Sequence, residues 1–161
     1  MEKVQQQSAQ ELQLVIFQLD KEEYGLPITK VQEINKMVSI TKLPHTPVFV
    51  EGIINLRGRV IPIVDLRKRF QLPVSEHNEE SRIIIIEISG QTLGVIVDAV
   101  TEVVRLQANN VEPPPPAFIL DSQYIHGVGK LDDRLIILLN LDKILTSQET
   151  IELKKMGAEE E

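Results

Sequence analysis

The chain is written twice. Residues 14–34, LVIFQLDKEEYGLPITKVQEI, align with residues 83–103, IIIIEISGQTLGVIVDAVTEV, at an offset of 69 and without a gap. Ile16 meets Ile85, Gly25 meets Gly94, Val31 meets Val100, Glu33 meets Glu102 and Ile34 meets Val103. A second match at an offset of 75 sets Gly52 on Gly127, Arg59 on Arg134, Ile61 on Ile136, Asp65 on Asn140 and Leu66 on Leu141. The six extra positions fall between the two matches, where the second copy carries Pro113 to Pro116. Self-similarity of this kind marks two copies of one supersecondary unit.

Each copy reads as strand. Ile, Val and Leu occur in short runs bounded by turn residues. DKEEYG and SGQTLG read as hairpin loops, and Gly25 and Gly94 mark a bulge or a close backbone approach. Asp65 and Asn140 stand at N-cap positions before short helical stretches, DLRKRF and NLDKIL. Thr146-Ser147-Gln148-Glu149 fits a capping box that opens a C-terminal helix, with Gly157 as its stop. Many short strands with closely spaced turns predict a mainly β fold, a barrel or sandwich rather than parallel α/β. A copy of about 60 residues buries too little surface to stand alone. Two barrels are therefore expected side by side, one over about 14–70 and one over about 83–145, inside a unit spanning 12–153. Residues 1–11 and 157–161 are polar and expected to be loose.

Charge and composition narrow the chemistry. Seventeen Lys and Arg stand against 24 Asp and Glu, a net charge of −7. That balance argues against nucleic acid as a partner, since phosphate binding needs a basic footprint. A local basic patch from Arg57 to Arg69 remains. The chain has no cysteine, which excludes disulfides and thiol catalysis. The N-terminus lacks an apolar signal core, and the apolar runs are too short to span a bilayer. A cytoplasmic protein without direct membrane insertion is expected. His45, His77 and His126 lack metal-ligand spacing, and none of the common catalytic or nucleotide-binding motifs occurs. An enzyme reading would rest on Asp98 and Glu102, beside which no base or nucleophile is placed. Neither catalysis nor a cofactor nor a metal is expected.

The duplication acts as an internal control. Features present in both copies serve the architecture: Gly25 and Gly94, Gly52 and Gly127, Asp65 and Asn140. Features of one copy alone are free for function. Arg57 aligns with Asp132, so the fold needs no arginine there. Glu33 aligns with Glu102, for which no matching arginine is evident. A charge-assisted Glu33–Arg57 pair is therefore expected in copy one only, aiming the guanidinium at a partner. The alternative is a solvent-exposed turn arginine in a weak surface pair. Gly58, aligned with Asp133, reads as a tight turn at positive φ. Pro62, aligned with Ile137, predicts an edge strand or a bulge. Pro113 to Pro116 read as a stiff spacer rather than a recognition ligand. Phe118 beyond them is either core or an exposed anchor.

NLRG followed by VIPIVDLR, with EEYG and KVQEI before it and LGVIVDAVTEV after it, resembles the CheW family of chemotaxis coupling proteins over roughly residues 12–153. With no receiver or kinase domain attached, the chain resembles stand-alone CheW rather than CheV or CheA. The resemblance implies two SH3-like five-stranded β-barrels around a shared apolar core, with short helices and a C-terminal helix. It implies a non-catalytic adaptor of bacterial or archaeal chemotaxis. Such an adaptor couples chemoreceptor cytoplasmic signalling tips to the regulatory domain of the histidine kinase CheA. It is recruited to membrane-associated receptor arrays and helps assemble them. Val31 and Glu33 of KVQEI and Arg57 of NLRG fall on positions implied in coupling and partner binding. Val103 of VTEV falls on a position implied in receptor contact. Gly52, Gly94 and Gly127 match as structural glycines. The segment from Pro113 to Phe118 departs from the family pattern in proline number and length. A single-partner peptide-binding module, using an exposed strand edge, is the other binding reading.

Overall fold

The computed structural model describes residues 11–114 and 124–159. Pro115, Pro116, Phe118 and the extreme termini lie outside the described residues. Eleven strands and two α-helices are present among them. The first copy supplies β1 (Glu11–Leu19), β2 (Glu22–Pro27), β3 (Val31–Lys36), β4 (Val50–Leu56), β5 (Arg59–Asp65) and α1 (Leu66–Arg69). The second supplies β6 (Arg82–Ile88), β7 (Gln91–Val97), β8 (Ala99–Gln107), β9 (Val111–Glu112), β10 (Ile125–Leu131) and β11 (Arg134–Leu139). Helix α2 (Ser147–Glu159) follows. The two offsets lay β1 to β3 on β6 to β8, and β4 and β5 on β10 and β11, as the duplication requires.

The sheets do not follow the copies. One has six strands in the order β8-β1-β2-β11-β10-β9, and the other five in the order β3-β6-β7-β5-β4. Each takes one hairpin from each copy. The mainly β fold of two modules is the one expected, but each module draws strands from both 14–70 and 83–145. What joins the copies is a pair of parallel crossings. Gly25 of β2 lies opposite Leu138 of β11, and Gly94 of β7 lies opposite Ile63 of β5. A Cβ on Gly94 would come within 2.7 Å of Ile63 Cδ1, and one on Gly25 within 3.1 Å of Ile136 Cγ2. Both glycines serve a close approach rather than a turn or bulge.

Each sheet curls. In the first, edge strands β8 and β9 are joined by the three-residue 3-10 turn Ala108–Asn110. In the second, the chain leaves edge strand β3 and returns at Thr41 to the opposite edge. There Thr41 and Ile53 exchange backbone hydrogen bonds of 2.9 Å each. The sixth position of the second sheet is thus a single bridge.

Alternation along the strands sorts the core into three layers. Leu14, Ile16, Leu106, Ile136 and Leu138 fill the first sheet's interior. Their equivalents Ile61, Ile63, Ile83 and Ile85, with Ile54 and Ile96, fill the second. Residues of opposite parity, including Phe17, Leu19, Tyr24, Val64, Leu66, Ile84, Ile86 and Leu139, form the cluster shared between the sheets. A strand buried on both faces must read as a continuous apolar run, which accounts for the four successive isoleucines of β6. Phe17 stacks on Tyr24 at 5.7 Å, and Tyr24 on Phe70 at 6.4 Å. Burial first, then nearby Glu22 and Asp20, push the Tyr24 hydroxyl up to about 12.

Several local expectations change. Pro62 lies in β5, an interior strand between β7 and β4. Parallel pairing with β7 begins only at Ile63, so the missing N–H of Pro62 costs no rung. The twin crossing begins one position earlier, at Ile137. Asp65 does cap α1, its Oδ1 accepting from Arg67 N at 2.9 Å. Asn140 makes no such bond, and only the 3-10 turn Leu141–Lys143 follows it. The capping box forms: Thr146 N donates to Glu149 Oε1 at 2.8 Å, and Glu149 N to Thr146 Oγ1 at 3.1 Å. Gly157 does not stop α2, which runs to Glu159. A glycine inside a helix costs only about 1 kcal/mol relative to alanine. Residue 11, assigned to a tail, opens β1.

Candidate partner-binding corner

Strand β3 is an edge of the second sheet. It turns Val31 onto the shared core, leaves Glu33 half-buried and exposes Ile34. The β4–β5 hairpin meets it from the other side. The hairpin's tip is Arg57 at φ 51° and Gly58 at φ 84°. Two successive positive φ values match the twist of the flanking strands in a two-residue turn. Asn55 Oδ1 accepts from Gly58 N at 2.8 Å and locks the tip. The Arg57 side chain is 69% exposed and makes an ion pair with Glu33. Beside it Arg59 Nη2 donates to Thr92 Oγ1 at 3.0 Å. Glu33 and Arg57 are thus brought together at one corner, while Val31, across a bulge on the same strand, faces the shared core.

The Arg57 guanidinium holds the Glu33 carboxyl below the usual glutamate range. A carboxyl with a depressed value keeps its pair above the ordinary range and loses it only as pH falls through the lower one. Following the Glu33 side chain by NMR should give a titration midpoint below that of an ordinary glutamate. Arg57→Ala should raise it back toward the ordinary glutamate range. An unmoved midpoint would show that another group sets it.

The other sheet carries the equivalent corner with the charges reversed. Asp132, at φ 55°, replaces Arg57. Arg134, the twin of Arg59, donates from Nε and Nη2 to Glu23 at 3.0 and 2.8 Å and from Nη2 to Glu102 at 2.8 Å. Glu102 therefore does have an arginine, contrary to the expectation from sequence. Two carboxylates push Arg134 further above the ordinary arginine range. Corner one holds Arg57 and Arg59 against Glu33, a net positive charge. Corner two holds Glu23, Glu102, Asp132 and Asp133 against Arg134, three net negative charges. Val103 lies on this second corner, in β8 at the edge of the first sheet. It is 52% exposed, and its twin Ile34 on corner one is 39% exposed. The sequence marks Ile34 only as the repeat partner of Val103 and not as a site residue, although the offset of 69 that pairs them is the signal.

The basic stretch from Arg57 to Arg69 is not a patch. Arg67 Nε and Nη2 donate to Asp98 at 2.9 and 2.7 Å. Lys68 pairs with Glu51 at 2.5 Å, and Arg69 with Glu149 at 3.1 Å. Asp98 also accepts from Asp20 N at 2.7 Å. Asp98 and Glu102, the carboxylates on which an enzyme reading rested, are both committed to ion pairs. The turn and bulge glycines divide: Gly58 stands in open space, while Gly52 and Gly127 lie at bulges against the closing segment of each sheet. Among the described residues no cluster of three or more His, Asp or Glu could hold a metal, and no helix is long and apolar enough to cross a membrane.

Residues 13–149 match the CheW-like domain. The chain is 38% identical to the chemotaxis protein CheW of Klebsiella aerogenes over 138 residues, 85% of this chain and 83% of that protein. It is 35% identical to the chemotaxis protein CheW of Treponema pallidum over 152 residues, 91% of this chain and 89% of that one. The crystal structure of the scaffolding protein TtCheW from Thermoanaerobacter tengcongensis superposes with a TM-score of 0.81 at 48% identity, covering 86% of this chain and 94% of that one. With a domain match over most of its length, these identities and this superposition, the chain belongs to the CheW-like family.

Proposed function

We propose that the chain is a non-catalytic chemotaxis adaptor. It couples the cytoplasmic signalling tips of chemoreceptors to the regulatory domain of the histidine kinase CheA, at membrane-associated receptor arrays. The observation that carries this reading is the pair of equivalent corners, alike in backbone and opposite in charge. An adaptor needs two faces that do not compete for one partner, and complementary charge supplies register and discrimination. Glu33 and Arg57 carry one face, with Val31 packed behind them on the same edge strand, and Val103 marks the other. Apolar edge residues such as Ile34 and Val103 supply affinity, while the oriented guanidinium sets the docking angle. The test is reconstitution of a ternary complex from this chain, a receptor tip and a CheA regulatory domain. Saturation of all binding by a single partner at a single site would favour the peptide-binding module instead.

Arg57→Ala checks the first face. The side chain is mostly exposed and the turn geometry rests on Gly58 and Asn55. The melting temperature should therefore move by no more than about 3 °C. Binding of the partner that uses this corner should weaken about tenfold. A larger loss of stability would make Arg57 structural.

A further inference from the structure

The two offsets lay corner one on corner two bond for bond, and one bond differs in kind. Arg134 is the twin of Arg59, and Glu23 is the twin of Thr92. Arg134 forks to the Glu23 carboxylate and also reaches Glu102, so two carboxylates answer its charge. Arg59 makes the equivalent contact, Nη2 to Oγ1 at 3.0 Å, but Thr92 offers a hydroxyl where Glu23 offers a carboxylate. Glu33, the twin of Glu102, pairs with Arg57 instead. Glu87, opposite Thr92 on β6, accepts from Gln32 Nε2 at 3.4 Å. Among the described residues Arg59 therefore makes no ion pair, and it lacks both carboxylates that its twin holds.

A guanidinium held by a neutral hydroxyl keeps its charge and its remaining donors for another acceptor, and a carboxylate is the acceptor its fork matches. Arg59 is exposed and Thr92 half-buried, so solvent reaches this place. We propose that corner one is a carboxylate receptor. A Glu or Asp side chain of the protein that docks there takes the position that the Glu23 carboxylate fills in corner two, against Arg59 and Thr92 and beside the Arg57–Glu33 pair. The identity of the docked protein rests on the adaptor reading above; the site itself rests on the difference between the two copies.

The first arm of the test needs no partner. The full chain is titrated with hexaglutamate and followed at the arginine Nε–Hε NMR signals. Its net charge of −7 gives a polyanion no general attraction. The Arg59 signal should move saturably and that of Arg134 stay in place. Thr92→Glu with Glu87→Gln copies the Glu23 and Gln18 of corner two and avoids like charges opposite each other. In that variant Arg59 should be shifted before any peptide is added and should no longer respond. An unresponsive Arg59 in the parent, an equal response from Arg134, or a response that persists in the variant overturns the proposal. In the second arm, Arg59→Gln should weaken one of the two binary complexes, with the receptor tip or with the CheA regulatory domain, about tenfold and flatten its salt dependence. The other complex should be unchanged. Two unchanged complexes, or two weakened alike, overturn the docking role. A parent chain that binds neither partner while Arg59 still answers hexaglutamate defeats the adaptor reading and leaves the carboxylate site supported.

Discussion

Gly52→Ala should lower the melting temperature by about 10 °C, the larger of the two effects expected from single glycine changes in the β4–β5 hairpin. Gly52 sits at φ +145°, where a side chain is rarely tolerated. A Cβ there would lie 2.1 Å from the carbonyl oxygen of Thr41 and 2.8 Å from its carbonyl carbon. The obstacle is backbone, which cannot step aside by changing rotamer. Thr41 is held in place by its two hydrogen bonds to Ile53, the bridge that closes the second sheet among the described residues. The new methyl must either push the closing segment off or force the bulge between Val50 and Gly52 to flatten. Strain of about 1–3 kcal/mol adds to roughly 1 kcal/mol for each hydrogen bond lost, about 3–5 kcal/mol in all. Gly58→Ala is the control. Its φ is +84° but nothing lies within 4 Å of the added methyl, so only the conformational cost of about 1–2 kcal/mol remains. Thermal melts of the two variants decide the matter. Equal shifts would show that the contact with Thr41 carries no weight.

The duplication made each strand visible but not its partners. Hairpins close over two residues and advertise themselves in loops such as DKEEYG and SGQTLG. The parallel crossings of β2 with β11 and of β5 with β7 join segments that are distant in sequence, and no local pattern says from which copy a neighbour comes. The same limit governed the charges. The Glu33–Arg57 pair was legible because Arg57 differs from its twin Asp132 while Glu33 is kept in both copies. Arg134 was read only as a repeat match, and its bonds to Glu23 and Glu102 remained hidden. Arg67, Lys68 and Arg69 read as a basic patch because their acidic partners, Asp98, Glu51 and Glu149, approach through the fold. Pro62 looked like an edge signal because a proline normally excludes pairing on one side. Here the parallel rungs begin one residue later.

Arg69→Ala should cost about 3 kcal/mol, although the residue lies only twelve positions from the expendable Arg57. Its side chain is 11% exposed. Nε donates to Ile144 O at 2.6 Å and Nη1 to Glu149 Oε2 at 3.3 Å. The guanidinium lies 4.5 Å from the Phe49 ring and 5.3 Å from that of Tyr124. Truncation would leave a mostly buried carboxylate on Glu149 without its cation and Ile144 O without its donor. Glu149 is also the acidic half of the box that starts α2, so the loss should spread to the docking of that helix. Arg69→Lys should recover little, because a point charge cannot fork to a carboxylate and a carbonyl while lying flat between two rings. The expected reading is a fall in melting temperature of roughly 6–12 °C, with accelerated amide exchange in α2 and unchanged chemical shifts around Arg57 below the transition. A double-mutant cycle with Glu149→Gln should return a coupling energy of about 1–3 kcal/mol. Additive losses would mean that the rings, rather than the carboxylate, hold the arginine. A melt indistinguishable from the parent would show that α2 is anchored by Leu153 alone. The contrast with Arg57 follows from solvent: the same guanidinium is free to recognise a partner where water surrounds it, and becomes part of the fold where its ion pair is sealed from water.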